Sequence, residues 1–180
     1  MIEIRLARLP ADIAGMSAVD TGFETDRVLW PAQREMGLDL VERREPAAKR
    51  FPLDDLDAAD RPWDTAWVAV EAERIRGFAA VGWQAWNRRL ALWHLYVDRP
   101  LRRTGVGRRL VAEALAHGRS LGAAHLWLET TNLNAPGVAA YRSMGFEVTG
   151  LDLTLYDGSA ARGEFAIFMS QPLEERPHWA

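Results

Sequence analysis

Residues 90–130 read LALWHLYVDRPLRRTGVGRRLVAEALAHGRSLGAAHLWLET, and this stretch decides the fold. Its opening, Leu90-Ala91-Leu92-Trp93-His94-Leu95-Tyr96-Val97, is a nearly continuous apolar run of strand length, the pattern of a strand covered on both faces. Pro100 ends it. From Val106 to Leu121 the apolar residues return at helical spacing, with Val106, Leu110, Val111, Ala114, Leu115 and Leu121 on one face, and Gly122 supplies a stop. Ala124 to Thr130 is a second buried strand. Strand, helix, strand in this order is a βαβ unit, so its two strands run parallel with a right-handed crossover.

On the N-terminal side, Trp67–Val70 and Ile75–Val81 predict a hairpin around the polar turn Glu71–Arg74. Residues 2–8 alternate as a first strand, and Pro10–Val19 predict a short helix. Arg27–Trp30 and Leu38–Glu42 alternate on either side of Gly37 and predict two short strands. Between them and the hairpin, the acidic run Asp54, Asp55, Asp57, Asp60 and Asp64 reads as a solvated loop or helix start. On the C-terminal side, Ala135–Met144 predicts a helix stopped by Gly145, and Phe146–Tyr156 and Glu164–Ser170 predict closing strands. The expected fold is α+β, one domain over residues 1–180 with a mixed, largely antiparallel sheet.

Composition narrows the function. At 180 residues, 48% hydrophobic and 26% charged, the chain is globular and fits one domain. No apolar run reaches the roughly 20 residues of a bilayer span, and the N-terminus lacks the apolar stretch of a secretion signal, so no membrane partner and a cytoplasmic location are expected. With no cysteine there is no thiol nucleophile or zinc–thiolate site. His117, His125 and His178 show no metal-ligand spacing, so no metal is expected. A net charge of −3 and the absence of a basic-aromatic stripe argue against nucleic acid. Of the 22 basic residues 21 are arginine and one is lysine, which most simply reflects codon usage. Core packing is the default reading of the eight tryptophans.

Two places can carry chemistry. The loop Arg102-Arg103-Thr104-Gly105-Val106-Gly107-Arg108-Arg109 joins the end of a central strand to a helix N-terminus. Small residues there let backbone N–H groups approach an anion, the helix dipole favours it, and arginines add countercharge, as a pyrophosphate requires. A tight turn with a solvated basic edge is the competing reading. The second place is the end of the next parallel strand, since ligands of α/β units gather at the carboxyl ends of parallel strands. Glu129 ends an apolar strand, where desolvation would suit a carboxylate to act as a general base. The competing reading is a Glu pointing to water. Asn134 stands where a helix cap is expected anyway, and Tyr141 is a phenol two turns along that helix, able either to donate a proton or simply to pack.

Taken together, Arg102-x-x-Gly105-x-Gly107, Leu128-Glu129, Asn134, Tyr141 and Gly145-Phe146 resemble the GNAT superfamily of N-acetyltransferases over about residues 65–170. Trp86-Asn87, His94, Leu128-Glu129-Thr130, Asn134-Ala135-Pro136, Gly150-Leu151-Asp152-Leu153 and Gly37-Leu38-Asp39-Leu40 are similar to the streptothricin acetyltransferases within it. The resemblance implies a GNAT fold, its sheet split between two central parallel strands with helices on both faces. It implies acetyl-CoA as cosubstrate, bound along Leu95, Tyr96 and Val97, on Arg102, Arg103, Thr104, Gly105, Val106, Gly107 and Arg108, and near Asn134 and Tyr141. It further implies direct attack by a primary amine of a small molecule, with Glu129 as base and Tyr141 as the acid for the departing thiolate. A homodimer is the superfamily expectation. The N-terminal acetylation of proteins and a non-catalytic acyl-CoA sensor are the alternatives.

One departure stands out: Trp93 falls where many members carry a carboxylate, which leaves Glu129 as the candidate base. Strand alternation would turn His94 away from Trp93's face, as a core or supporting histidine. For a cationic acceptor, Trp83, Trp86 and Trp93 could offer an aromatic wall, and Asp152, Glu164 and the Asp54–Asp64 run countercharge. Core packing and solvated surface are their plainer readings. Gly137, where alanine is frequent in the superfamily, should be tolerated near a helix start.

Overall fold

The structure, a computed structural model, describes residues 1–174. His178 lies outside the described residues. Among these residues seven strands form one mixed sheet and two more form a separate hairpin. The strands are β1 (Glu3–Leu6), β2 (Gly22–Arg34), β3 (Gly37–Arg50), β4 (Thr65–Glu71), β5 (Arg74–Gln84), β6 (Arg89–Val97), β7 (His125–Thr131), β8 (Glu147–Asp152) and β9 (Ala166–Pro172), with helices α1 (Ile13–Ser17), α2 (Val106–Ser120) and α3 (Ala135–Ser143). The sheet order is β1-β4-β5-β6-β7-β9-β8, and β2 pairs with β3. No helix among the described residues is long and apolar enough to cross a membrane. The chain divides into two compact units.

Among the described residues the first unit comprises Met1–Thr21, Pro52–Leu128 and residues 170–174. β1, β4, β5 and β6 form an antiparallel series, and β6 meets β7 in parallel through Arg89↔His125, Leu90↔Leu126 and Ala91↔Trp127. The expected βαβ unit is therefore present, with α2 as its crossover. Alternation along β4 assigns its two faces. Ala66 and Val68 join Phe78, Ala80, Leu56 and Trp63 in a core with Met16 of α1. Trp67, on the other face, stands edge-on to His117 of α2 at 5.5 Å between ring centroids. Helices thus cover both faces of this sheet. Val106, Leu110, Val111 and Ala114, four of the six predicted core positions of α2, are buried, whereas Leu121 is exposed.

Glycine conformations close the elements. Gly122 after α2 has φ +68° and Gly145 after α3 has φ +100°, a region where a Cβ is costly. Gly82 of β5 has a different reason: a Cβ there would fall 2.2 Å from the Pro62 carbonyl oxygen.

β6 contains a bulge. Ala80 pairs with His94 and Val81 with Leu92, so Trp93 is the extra residue. This interrupts the alternation on which the predicted orientations of Trp93 and His94 rested. Trp93 is 44% exposed and His94 buried.

The second unit comprises Gly22–Phe51 and Glu129–Met169. The two short strands predicted at 27–30 and 38–42 are the middle of a long hairpin, paired from Gly22↔Arg50 to Arg34↔Gly37. Most of β3 is exposed, so its Glu and Arg residues mask the alternation on which strand prediction depends. Asn132, fully buried, stitches this unit together. Its backbone bonds Leu29 N and Phe165 O, while its side chain donates to Leu29 O at 3.2 Å and accepts from Phe165 N at 3.0 Å. The predicted strand to Tyr156 stops at Asp152, and Tyr156 lies in the turns beyond it. β9 begins at Ala166, leaving Glu164 in an isolated bridge ahead of it.

Candidate active site

In the first unit, the parallel ladder between β6 and β7 spans three residue pairs and ends at Ala91↔Trp127. Leu95, Tyr96 and Val97 continue β6 against Ala79, Phe78 and Gly77 of β5. After a 3-10 turn at Arg99–Leu101 the chain enters the Arg-Gly loop. Arg103 (φ +64°) and Gly105 (φ +92°) both adopt left-handed conformations, and Gly105 is the N-cap of α2 without a side-chain cap. The first-turn amides are therefore not covered by a capping side chain. A Cβ at Gly105 would meet nothing within 4 Å, and one at Gly107 only Val97 Cγ2 at 3.9 Å. Alternating backbone conformations at an uncapped helix start form a concave nest of N–H groups, and these residues fit a pyrophosphate.

Arg102 is used differently from its neighbours. Its Nε donates to Val97 O at 2.8 Å and its Nη2 to Asp20 O at 2.9 Å. Desolvation lowers its pKa from the ordinary arginine value. Arg102 therefore ties the loop to the end of β6, while Thr104 Oγ1 closes the turn onto Leu101 O at 2.6 Å.

The acidic run is not wholly solvated. Asp55 Oδ2 accepts from Trp63 Nε1 at 2.9 Å and lies 2.7 Å from His94 Nε2. Phe78, Tyr96 and Trp63 surround the imidazole, whose Nδ1 is buried without a hydrogen-bond partner among the described residues. His94 is a core histidine with one nitrogen satisfied. Trp63 and Trp67 are core residues, as the packing reading holds, but Trp86, on the turn after β5, is 87% exposed.

In the second unit, Glu129 is exposed rather than set beside a sheet interior. It is held instead by a partner 27 positions away, the Tyr156 hydroxyl, which donates to Oε1. Burial, this hydrogen bond and the charges of Glu129 and Glu164 raise the Tyr156 pKa well above the usual phenol value. Two residues along the same face of β7, Thr131 donates to Glu164 Oε2. Lys49 Nζ completes this group, 2.7 Å from Glu164 Oε1 and 2.5 Å from Oε2. An incoming ammonium would have to compete with Lys49 for Glu164.

Asp152 is likewise occupied. It accepts from Thr154 N at 2.8 Å and Thr154 Oγ1 at 2.9 Å, bonds that lower its pKa. Asn134 proves to be the cap of α3: Oδ1 accepts from Gly137 N and Nδ2 donates to Thr130 Oγ1, both at 3.0 Å. A Cβ at Gly137 would fall 2.2 Å from Asn134 Nδ2, so alanine there would displace this cap. Tyr141, half-buried on α3, stands edge-on to Phe146 at 5.6 Å, and desolvation pushes its pKa up to about 12.

A βαβ crossover with an Arg-Gly loop at the start of its helix fits the pyrophosphate of an acyl-CoA. Residues 30–146 match the Acetyltransferase (GNAT) family, and the chain belongs to it. It is an N-acetyltransferase. It is 40% identical over 94% of both chains to streptothricin acetyltransferase of Streptomyces lavendulae. Over 46% of this chain and 55% of the other, it is 34% identical to the [ribosomal protein bS18]-alanine N-acetyltransferase of Escherichia coli K12. Among solved structures, nourseothricin acetyltransferase superposes with a TM-score of 0.85 at 39% identity, over 96% of this chain and 99% of that one. A Bacillus anthracis protein in complex with acetyl coenzyme A shares the fold, with a TM-score of 0.81 at 23% identity over 97% and 99% of the two chains.

Proposed function

We propose that the protein transfers the acetyl group of acetyl-CoA to a primary amine of a streptothricin-type antibiotic, with Glu129 as general base and Tyr141 as hydrogen-bond donor to the departing thiolate. The observation that carries this reading is the identity to streptothricin acetyltransferase along nearly the whole chain, rather than over the cofactor-binding part alone. The backbone nest of residues 103–108 would hold the pyrophosphate, the edge of Leu95–Val97 the pantetheine arm, and Arg102 would keep the loop in place. Acetyl-CoA supplies an activated acyl carbon.

An alkyl ammonium with a pKa of about 10.4 is free amine in only about one molecule in 2,500 at pH 7, so a base must take its proton. Glu129 offers Oε2 for that step, directly or through water, while Oε1 is bonded to Tyr156. The amine nitrogen then attacks the carbonyl carbon, the C–S bond breaks with its electron pair leaving on sulfur, and the second proton on nitrogen is lost to solvent as the amide forms. Tyr141 would bond to that sulfur as charge develops on it.

The test is thiol release from acetyl-CoA with streptothricin, aminoglycosides, polyamines, lysine and N-terminal peptides, using the wild type and Glu129→Gln. The expected result is turnover of streptothricin with kcat lowered about 100-fold or more in the variant. Turnover of alanine-terminated peptides instead would favour the second reading, supported by the likeness to the bS18-alanine enzyme. Acetyl-CoA binding with no thiol release for any amine would leave a sensor.

A further inference from the structure

We propose that Tyr156 is the positioning residue of the catalytic base, a proposal that rests on the reading of Glu129 as that base. Glu129 sits exposed near the C-terminal end of β7, where its side-chain torsions would otherwise be free. The Tyr156 hydroxyl fixes one of its oxygens. The other, Oε2, accepts no hydrogen bond among the described residues and is the oxygen left to take a proton.

The phenol suits this task because it remains a donor at any working pH. Its raised pKa comes from burial and from the two carboxylates it faces, Glu129 and Glu164. The charge of Glu164 is in turn met by Lys49 and by the Thr131 hydroxyl. The segment carrying Tyr156 is also tied at both ends. Asp152 holds Thr154 at its start, and Glu164 is bonded to Lys49 and Thr131 at its close. Within it, Ser159 Oγ donates to Tyr156 O at 2.9 Å. A hydroxyl on a pinned turn can thus hold a mobile carboxylate in one geometry, which is how a supporting group contributes to catalysis.

The experiment compares Tyr156→Phe, Glu129→Gln and the double variant, with acetyl-CoA and streptothricin as substrates. Phenylalanine keeps the ring, and the thermal midpoint of each variant checks the fold. Tyr156→Phe is expected to lower kcat about tenfold while leaving KM for acetyl-CoA unchanged. The double variant should be no slower than Glu129→Gln alone, because Tyr156 acts through Glu129.

Wild-type kcat in Tyr156→Phe, a raised KM for acetyl-CoA in that variant, or multiplicative losses in the double variant would each overturn the proposal while leaving Glu129 as base. Full activity in Glu129→Gln would overturn both.

Discussion

A phenol with a pKa near 12 is a weaker acid than the thiol of coenzyme A, and this sets what Tyr141 can do. With a thiol pKa of about 8.5, full proton transfer from Tyr141 to the thiolate is uphill by roughly 3.5 pKa units, or about 5 kcal/mol. A hydrogen bond to the developing thiolate is the better description of the role proposed for it. Tyr141→Phe should therefore slow kcat by about 10- to 100-fold without abolishing it, at the low end of general acid catalysis. Because the phenol stays protonated up to about pH 12, the wild-type kcat should show no decline from Tyr141 ionisation below pH 10. Steady-state kinetics from pH 6 to 10 checks both points. At this scale the sequence marks Glu129 and Tyr141 through their order along the chain. Tyr156, Asn132 and Asp55 escape it because their meaning is a partner: Tyr156 meets Glu129 across 27 positions, Asp55 meets His94 across 39, and Asn132 meets Leu29 across 103. No local pattern encodes such meetings.

Among the elements, the turn joining β4 to β5 departs most from its ideal chemistry. Ala72 (φ +46°) and Glu73 (φ +63°) both occupy the left-handed region between the closing pair Glu71↔Arg74. That is the backbone of a type I′ hairpin, which favours Asn-Gly. Replacing Ala72 by Asn and Glu73 by Gly should raise stability by about 1 kcal/mol, seen as a higher urea midpoint at unchanged slope. A lower midpoint would mean that these side chains make contacts worth more than the relieved strain. Elements with a strong period were legible: β6, α2 and β7 lie within a residue or so of their predicted limits, because burial forces a continuous or helically spaced apolar pattern. The β2–β3 hairpin was legible only in its middle. Its ladder rests on backbone hydrogen bonds and exposed pairs such as Arg27–Glu42 and Arg34–Asp39, which need no hydrophobic alternation.

For the molecule as a whole, the pairing of charges matters more than the net value of −3. Arg5 of β1 bonds Asp12 through both terminal nitrogens, at 2.6 and 3.0 Å, and Arg8 N adds a third bond to the carboxylate. The Arg5 hydrogen bond is the main cause that holds the Asp12 pKa below its ordinary value. Its stabilisation is present above the unfolded-state value of about 3.9 and is lost as pH falls through the lower folded-state value. Asp12→Asn should cost about 1–2 kcal/mol at pH 7, and that cost should shrink steadily below pH 4. Denaturation curves at both pH values measure the difference. The general architecture was legible from one βαβ unit, because parallel strands and a crossover leave few topologies. How the chain uses its acidic residues was not, since composition counts charges without saying which are already met. The pairing of Lys49 has a chemical consequence of its own. It is the only lysine in 180 residues, and its ammonium is bound to both oxygens of Glu164. An enzyme that acetylates amines thus carries a single side-chain amine of its own, and that amine is engaged in an ion pair.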